Sequence, residues 1–235
     1  MRFKTKPTII TLYAVMITGC ATPGTSTINY APPQNFTTIQ NEIIVSKPFE
    51  AVWDSFVREL AKSFYVIKKL DKQSRVINLS FSTNTPEEYV DCGIITRTYS
   101  RGNHRRTYKY QVASASAYIV AGSTGVNKKL PQTAVFSRLL SLEGGVNISV
   151  APEAQNTRVS VNIRYFLTSK VEGTYTTENR YGRRIQSGTI PAQTFTSVFN
   201  TNQPVIVTMG TRQQPLEGTC QSLGRLEKDI LQLAQ

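Results

Sequence analysis

Eight apolar side chains, Phe49, Val52, Trp53, Phe56, Val57, Leu60, Ala61 and Phe64, recur at three- and four-residue intervals and draw one continuous stripe down a helix. A helix striped in this way has to lie on another apolar layer. Pro48 suits its first turn, where the missing N–H costs no helical hydrogen bond, and Ser46 or Lys47 would then occupy the cap position. Trp53 falls on the stripe and so belongs to the core rather than to a binding surface. Near the other end Leu223, Leu226, Ile230 and Leu233 repeat at the same spacing, which predicts a second amphipathic helix to the terminus, with Arg225, Glu227, Lys228 and Asp229 on its polar face.

The layer under these helices is a sheet. Between them the period shortens to two and the residues become β-branched and aromatic. Tyr65–Leu70 and Arg75–Ser82 flank Asp71-Lys72-Gln73-Ser74 as one hairpin, with Ile77, Leu79 and Phe81 on its buried face. Gly145–Ala151 and Thr157–Leu167 make a second, with Val146, Ile148, Val150, Val159, Val161, Ile163 and Tyr165 facing inward. Shorter strands are expected at Val90–Tyr99, Arg106–Ala117 and Val205–Met209, while residues 168–204, rich in Thr, Asn, Gly and Gln, give weak periodicity. With 235 residues, 40% of them apolar and 18% charged, the chain has material for a core and lacks the signature of disorder. The expectation is an α+β fold, an antiparallel β-sheet packed against an N-terminal helix and a long C-terminal helix.

Residues 1–20, MRFKTKPTIITLYAVMITGC, open with Arg2, Lys4 and Lys6 and continue with a mostly apolar run from Ile9 to Ile17, the layout of a secretory signal. The run is too short to span a bilayer. It ends in Ile17-Thr18-Gly19-Cys20, which resembles the lipobox of bacterial lipoproteins. That resemblance implies a diacylglycerol thioether on Cys20, cleavage after Gly19 and acylation of the new N-terminus, so that lipid on Cys20 is the only prosthetic group expected. Ala21 after the cysteine implies, as in enterobacterial-type lipoproteins, an outer-membrane address, facing the periplasm. The expected organisation is a signal peptide over 1–19, a flexible tether over 20–41 and a single α+β domain over 42–235, with a basic insertion near 97–130.

Export makes sense of the remaining cysteines. Cys92 and Cys220 are the pair left after lipidation, the arithmetic of one disulfide, with two separate buried thiols as the alternative. The order of elements is similar to the helix-grip domains of BamC, a lipoprotein of the outer-membrane β-barrel assembly machinery. The likeness rests on PFEAVWDSFVRELAKSFYVIKKLDKQSRVINLSF, on the hairpin GVNISVAPEAQNTRVSVNIRY and on the last helix. It implies the helix-grip fold; the chain departs from BamC in its single such domain, its expected disulfide and its long basic insertion, so a role in barrel assembly does not transfer.

Catalysis is not expected. His104 is the only imidazole, and the carboxylates Glu87, Glu88, Asp54, Asp71, Asp91 and Asp229 show no spacing that nominates an acid/base pair. Three cysteines and one histidine leave no expectation of a metal site. Ala121-Gly-Ser-Thr-Gly125 lacks the Lys-Ser/Thr of a phosphate-binding loop. The most functional-looking feature is the cationic cluster Arg97, Arg101, Arg105, Arg106 and Lys109, interleaved with Tyr99, Tyr108 and Tyr110, with Arg180, Arg183 and Arg184 elsewhere. Guanidinium groups among aromatics suit phosphates and carboxylates. Two functions are therefore expected as alternatives: a lipid-anchored interaction module of an envelope assembly, or a groove-type binder of an anionic or amphipathic ligand. The partners are then the membrane, an envelope protein complex and such a ligand, with nucleic acid not expected.

Overall fold

The computed structural model describes residues 24–34, 36, 38–121, 132–179, 181, 183–208 and 216–235. The expected signal peptide, Cys20, Arg180 and the stretch 122–131 of the basic insertion lie outside the described residues. The chain runs β1 (Thr25–Ala31), β2 (Glu42–Val45), α1 (Phe49–Lys62), β3 (Val66–Asp71), β4 (Val76–Thr83), β5 (Val90–Asp91), β6 (Ile94–Arg101), β7 (His104–Gln111) and β8 (Ser116–Ala121). It continues with β9 (Gln132–Glu153), β10 (Asn156–Glu178), β11 (Arg184–Asn200), β12 (Val205–Thr208), β13 (Glu217–Ser222) and α2 (Arg225–Leu233).

Two strands organise everything else. β9 and β10, of 22 and 23 residues, pair antiparallel from Glu153↔Asn156 to Gln132↔Thr177. At about 3.3 Å per residue their contour is about 70 Å. Inward alternation is sustained along this length by Phe136, Leu140, Leu142, Val146, Ile148 and Val150 on β9, and by Val159, Val161, Ile163, Tyr165, Leu167 and Val171 on β10.

At the β9–β10 turn, β4 pairs β9, β3 pairs β4 and β2 pairs β10, all antiparallel. The helices lie over this end, and Val52, Trp53, Phe56 and Leu60 of α1 and Leu226 and Ile230 of α2 share one core with Ile148, Val150, Val161 and Ile163. At the opposite end β8 pairs β9 over Thr133–Arg138 and β11 pairs β10 from Arg164 to Glu178. A smaller core gathers there: Tyr118, Val120, Ala134, Phe136 and Val171, flanked by Tyr108 and Tyr110 of β7. β7 belongs to a separate three-stranded sheet of order β1-β6-β7, and a third sheet joins β12, β13 and β5. The sulfurs of Cys92, just after β5, and Cys220, in β13, lie at disulfide distance across a sequence separation of 128.

The α+β, helix-grip-like expectation is overturned: the described residues are mostly antiparallel strand, and the two α-helices among them have 14 and nine residues. The C-terminal helix is short because Glu217–Ser222 is taken up by β13 and Gly224, at φ 73°, turns the chain before Arg225. Residues 168–204 account for much of the remaining strand. β11 lies at the sheet's edge with both faces partly exposed, so no apolar alternation marks it, although Thr, Phe and Val all favour extended backbone. Glu227, expected on the polar face of α2, is completely buried.

The stretch expected as a tether also differs. Thr25–Ala31 forms β1, paired residue by residue with β6. Backbone hydrogen bonds hold it, with the Tyr30 hydroxyl receiving the Thr219 N–H at 2.8 Å, so an alternating apolar pattern is not needed. Further on, the Ile39 N–H and C=O both bond the Asn202 side chain.

Candidate functional site, a basic pole

The cationic cluster sits on β6 and β7, and strand alternation divides it in two. Cross-strand neighbours share a face, so Arg97 lies with Tyr108 on the face that meets the small core, Tyr99 and the exposed Arg106 continue that face toward the hairpin tip, and Thr96 with Lys109 and Ser100 with Arg105 lie on the opposite face.

Arg97 and Arg101 are committed within the fold. Arg97 is 5% exposed; its guanidinium lies 4.2 Å from the centre of the Tyr118 ring and its Nε donates to the Tyr110 hydroxyl at 2.9 Å. The Tyr110 and Tyr118 rings stack at 5.8 Å and 7°. Burial pushes the Tyr118 phenol pKa up, with Arg97 opposing. Arg101 bonds Glu178 across 77 positions of sequence, which raises the guanidinium's pKa and lowers that of the carboxyl.

Arg105, Arg106 and Lys109 are exposed on β7, an edge strand, and His104 is exposed at its start. Tyr99, Arg101, His104, Arg106 and Ile119 line a groove of about 620 Å³. Arg183 and Arg184 are exposed at the start of β11, close enough for Arg184 to help lower the pKa of Glu178.

One buried cation was not anticipated. Arg138, 3% exposed, donates to the carbonyls of Ser114, at 3.1 Å, and Val112. Burial pulls its pKa below the ordinary guanidinium value. Its sequence signal is a charge standing in phase with Phe136 and Leu140 on β9. The Arg101–Glu178 pair had no local signal, because the fold alone brings the two residues together.

Three links place the basic residues at one end of the long ribbon. Thr25 at the start of β1 registers with Ser100, which registers with Arg105. The Ala121 N–H at the end of β8 donates to Ser26 Oγ at 2.7 Å. Arg101 reaches Glu178 at the end of β10.

A second concavity, of about 510 Å³, lies at the other end between α2 and Thr38–Ile43. Its charged group is Lys228, set among the polar side chains of Gln40, Gln221, Ser222 and Gln232. Compared with protein-family models, curated proteins and solved structures, the chain has no match.

Proposed function

We propose that this chain is a lipid-anchored interaction module of the bacterial cell envelope, an accessory subunit that docks on a larger assembly through the edge of β11. The observation that carries the reading is the character of that edge. β11 is 17 residues long, pairs only β10 among the described strands, and carries no charged residue from Ile185 to Asn200. Folded proteins ordinarily guard a long sheet edge with lysine, inward charge or a short strand, since unpaired backbone groups invite another chain. Here the guards are Pro191 and two irregularities in register, between Val171 and Gly173 and between Thr177 and Glu178. Beyond Gln193, the six residues Thr194–Phe199 pair β10 alone among the described strands and offer an edge suited to strand addition.

The lipid anchor rests on Ile17-Thr18-Gly19-Cys20. A ligand groove beside α2 receives less support, since it offers an anion the single cation Lys228 among the described residues.

Crosslinking in living cells followed by mass spectrometry tests the module. A partner should crosslink to β11 in the native chain and be lost when Thr194→Lys, Thr196→Lys and Val198→Lys place charge along the strand. Unchanged crosslinks would overturn docking at this edge. The intact mass of the exported protein tests the anchor separately: Cys20 should carry three acyl chains, and a mature mass without lipid would refute it.

A further inference from the structure

We infer that the basic pole rests on the membrane and binds the phosphates of anionic lipid headgroups through Arg105, Arg106, Arg183 and Arg184. The inference builds on the lipid-anchor reading of Cys20, and chain length does the rest. Thr25, the first residue of β1, lies five positions after Cys20. Fully extended, those five steps reach about 17 Å. Thr25 registers with Ser100 and Ser100 with Arg105, two strand spacings of about 5 Å each. The Arg105 backbone therefore stays within about 27 Å of the anchor. At the other end of the ribbon the β9–β10 turn lies about 70 Å along β9, and the start of α2, where Leu226 lies against Gly144, about 40 Å. Only one end of the molecule can meet the bilayer on so short a leash.

That end has the charge a membrane surface selects. Among the described residues, the strand ends that meet there contribute Arg101, Arg105, Arg106, Arg183 and Arg184 against one carboxylate, Glu178, which Arg101 neutralises. The four remaining arginines are exposed, and none has an ion-pair partner among the described residues. Over the longer stretch between Asp91 and Glu143 the sequence holds eight Lys and Arg and no Asp or Glu. A guanidinium within a Debye length, about 10 Å at 0.1 M salt, is drawn to an anionic surface, and at contact it hydrogen-bonds a phosphate bidentately. Acyl chains already supply retention. The arginines add orientation, pressing the pole down so that the helical end and the β11 edge rise from the bilayer.

The test uses residues 21–235, which contain every described element, without the lipid. Flotation with vesicles containing about one-third phosphatidylglycerol should show binding that is lost in 0.5 M salt and absent on pure phosphatidylcholine vesicles. Each cation lost should weaken binding roughly fivefold, so Arg105→Glu with Arg106→Glu should lower it at least about 25-fold, and Arg183→Glu with Arg184→Glu likewise. The same charge change at the other end, Lys68→Glu with Lys69→Glu, should leave binding unaltered.

Equal losses from both ends, or no binding to the anionic vesicles, would overturn the inference. Competition by millimolar inorganic phosphate would reassign the arginines to a soluble anion and would overturn it too. Because this protein carries no lipid, failure here is distinct from failure of the anchor, which the mass of the exported protein reads.

Discussion

Tyr165 donates a 2.9 Å hydrogen bond from its hydroxyl to Oε2 of Glu227, and both side chains are completely buried. Thr201 Oγ donates to the same carboxylate at 2.8 Å, and Ser222 Oγ lies 3.3 Å from both of its oxygens. Glu227 stands in the first turn of α2, where the helix dipole favours negative charge. Hydroxyls and a helix end thus take the place of a cation. Tyr165→Phe should destabilise by about 1–3 kcal/mol, the cost of leaving a buried acceptor short of a donor, whereas Glu227→Ala should cost more because it strands three hydroxyls. Urea unfolding of the two variants measures both.

Alkali should unfold the protein for a related reason. Burial raises the phenol pKa values of Tyr165, Tyr65 and Tyr118 above the ordinary 10.0. The folded state then keeps protons that the unfolded chain releases. Stability from these groups is complete below about pH 10 and declines above it, by about 1.4 kcal/mol per pH unit for each phenol still protonated in the fold. Urea midpoints should be flat from pH 7 to 9 and should drop between 10 and 11.5. A level midpoint across that second range would refute it.

Reduction should loosen the molecule at one place first. β5 and β13 share two paired positions, Asp91↔Gln221 and Val90↔Ser222, so the Cys92–Cys220 link carries much of that junction. Cys92→Ala with Cys220→Ala should lower stability by about 2–5 kcal/mol. Hydrogen exchange should quicken in β5 and β13 ahead of β9 and β10.

Arg97 and Arg106 should behave oppositely although both belong to the basic hairpin. Arg97→Leu removes the contact over Tyr118 and leaves the Tyr110 hydroxyl unpaired, for a loss of about 1–3 kcal/mol with vesicle binding retained. Arg106→Leu should alter stability by less than about 0.5 kcal/mol and should weaken vesicle binding. Thermal melts and flotation on the same two variants separate the roles.

Where side chains alternate around a buried layer, local pattern was enough to find the elements. The stripe from Phe49 to Leu60 packs in the main core, and the hairpins turning at Asp71–Ser74 and near Ala154 stand where period two places them. Pattern failed where backbone pairing or a single distant contact does the holding. β1 turns only Ser26 and Tyr30 partly inward, and β11 is half-exposed on both faces, so neither shows a period. For the basic cluster, composition drew attention to Arg97 and Arg101 but could not say that Tyr118 and Glu178 would occupy them. Glu227 looks like a solvated helix residue until Tyr165 is brought to it from 62 positions away.

β9 and β10 pass through both cores without a loop or a change of register between them, Gly144 and Gly145 of β9 staying paired to Tyr165 and Arg164. The molecule has no joint there. Whatever is gripped at one end is therefore held at a stand-off determined by how many residues the two strands contain, as a strut holds a roof. Lengthening both strands by two residues, which preserves the inward and outward faces, would raise that height by roughly 7 Å.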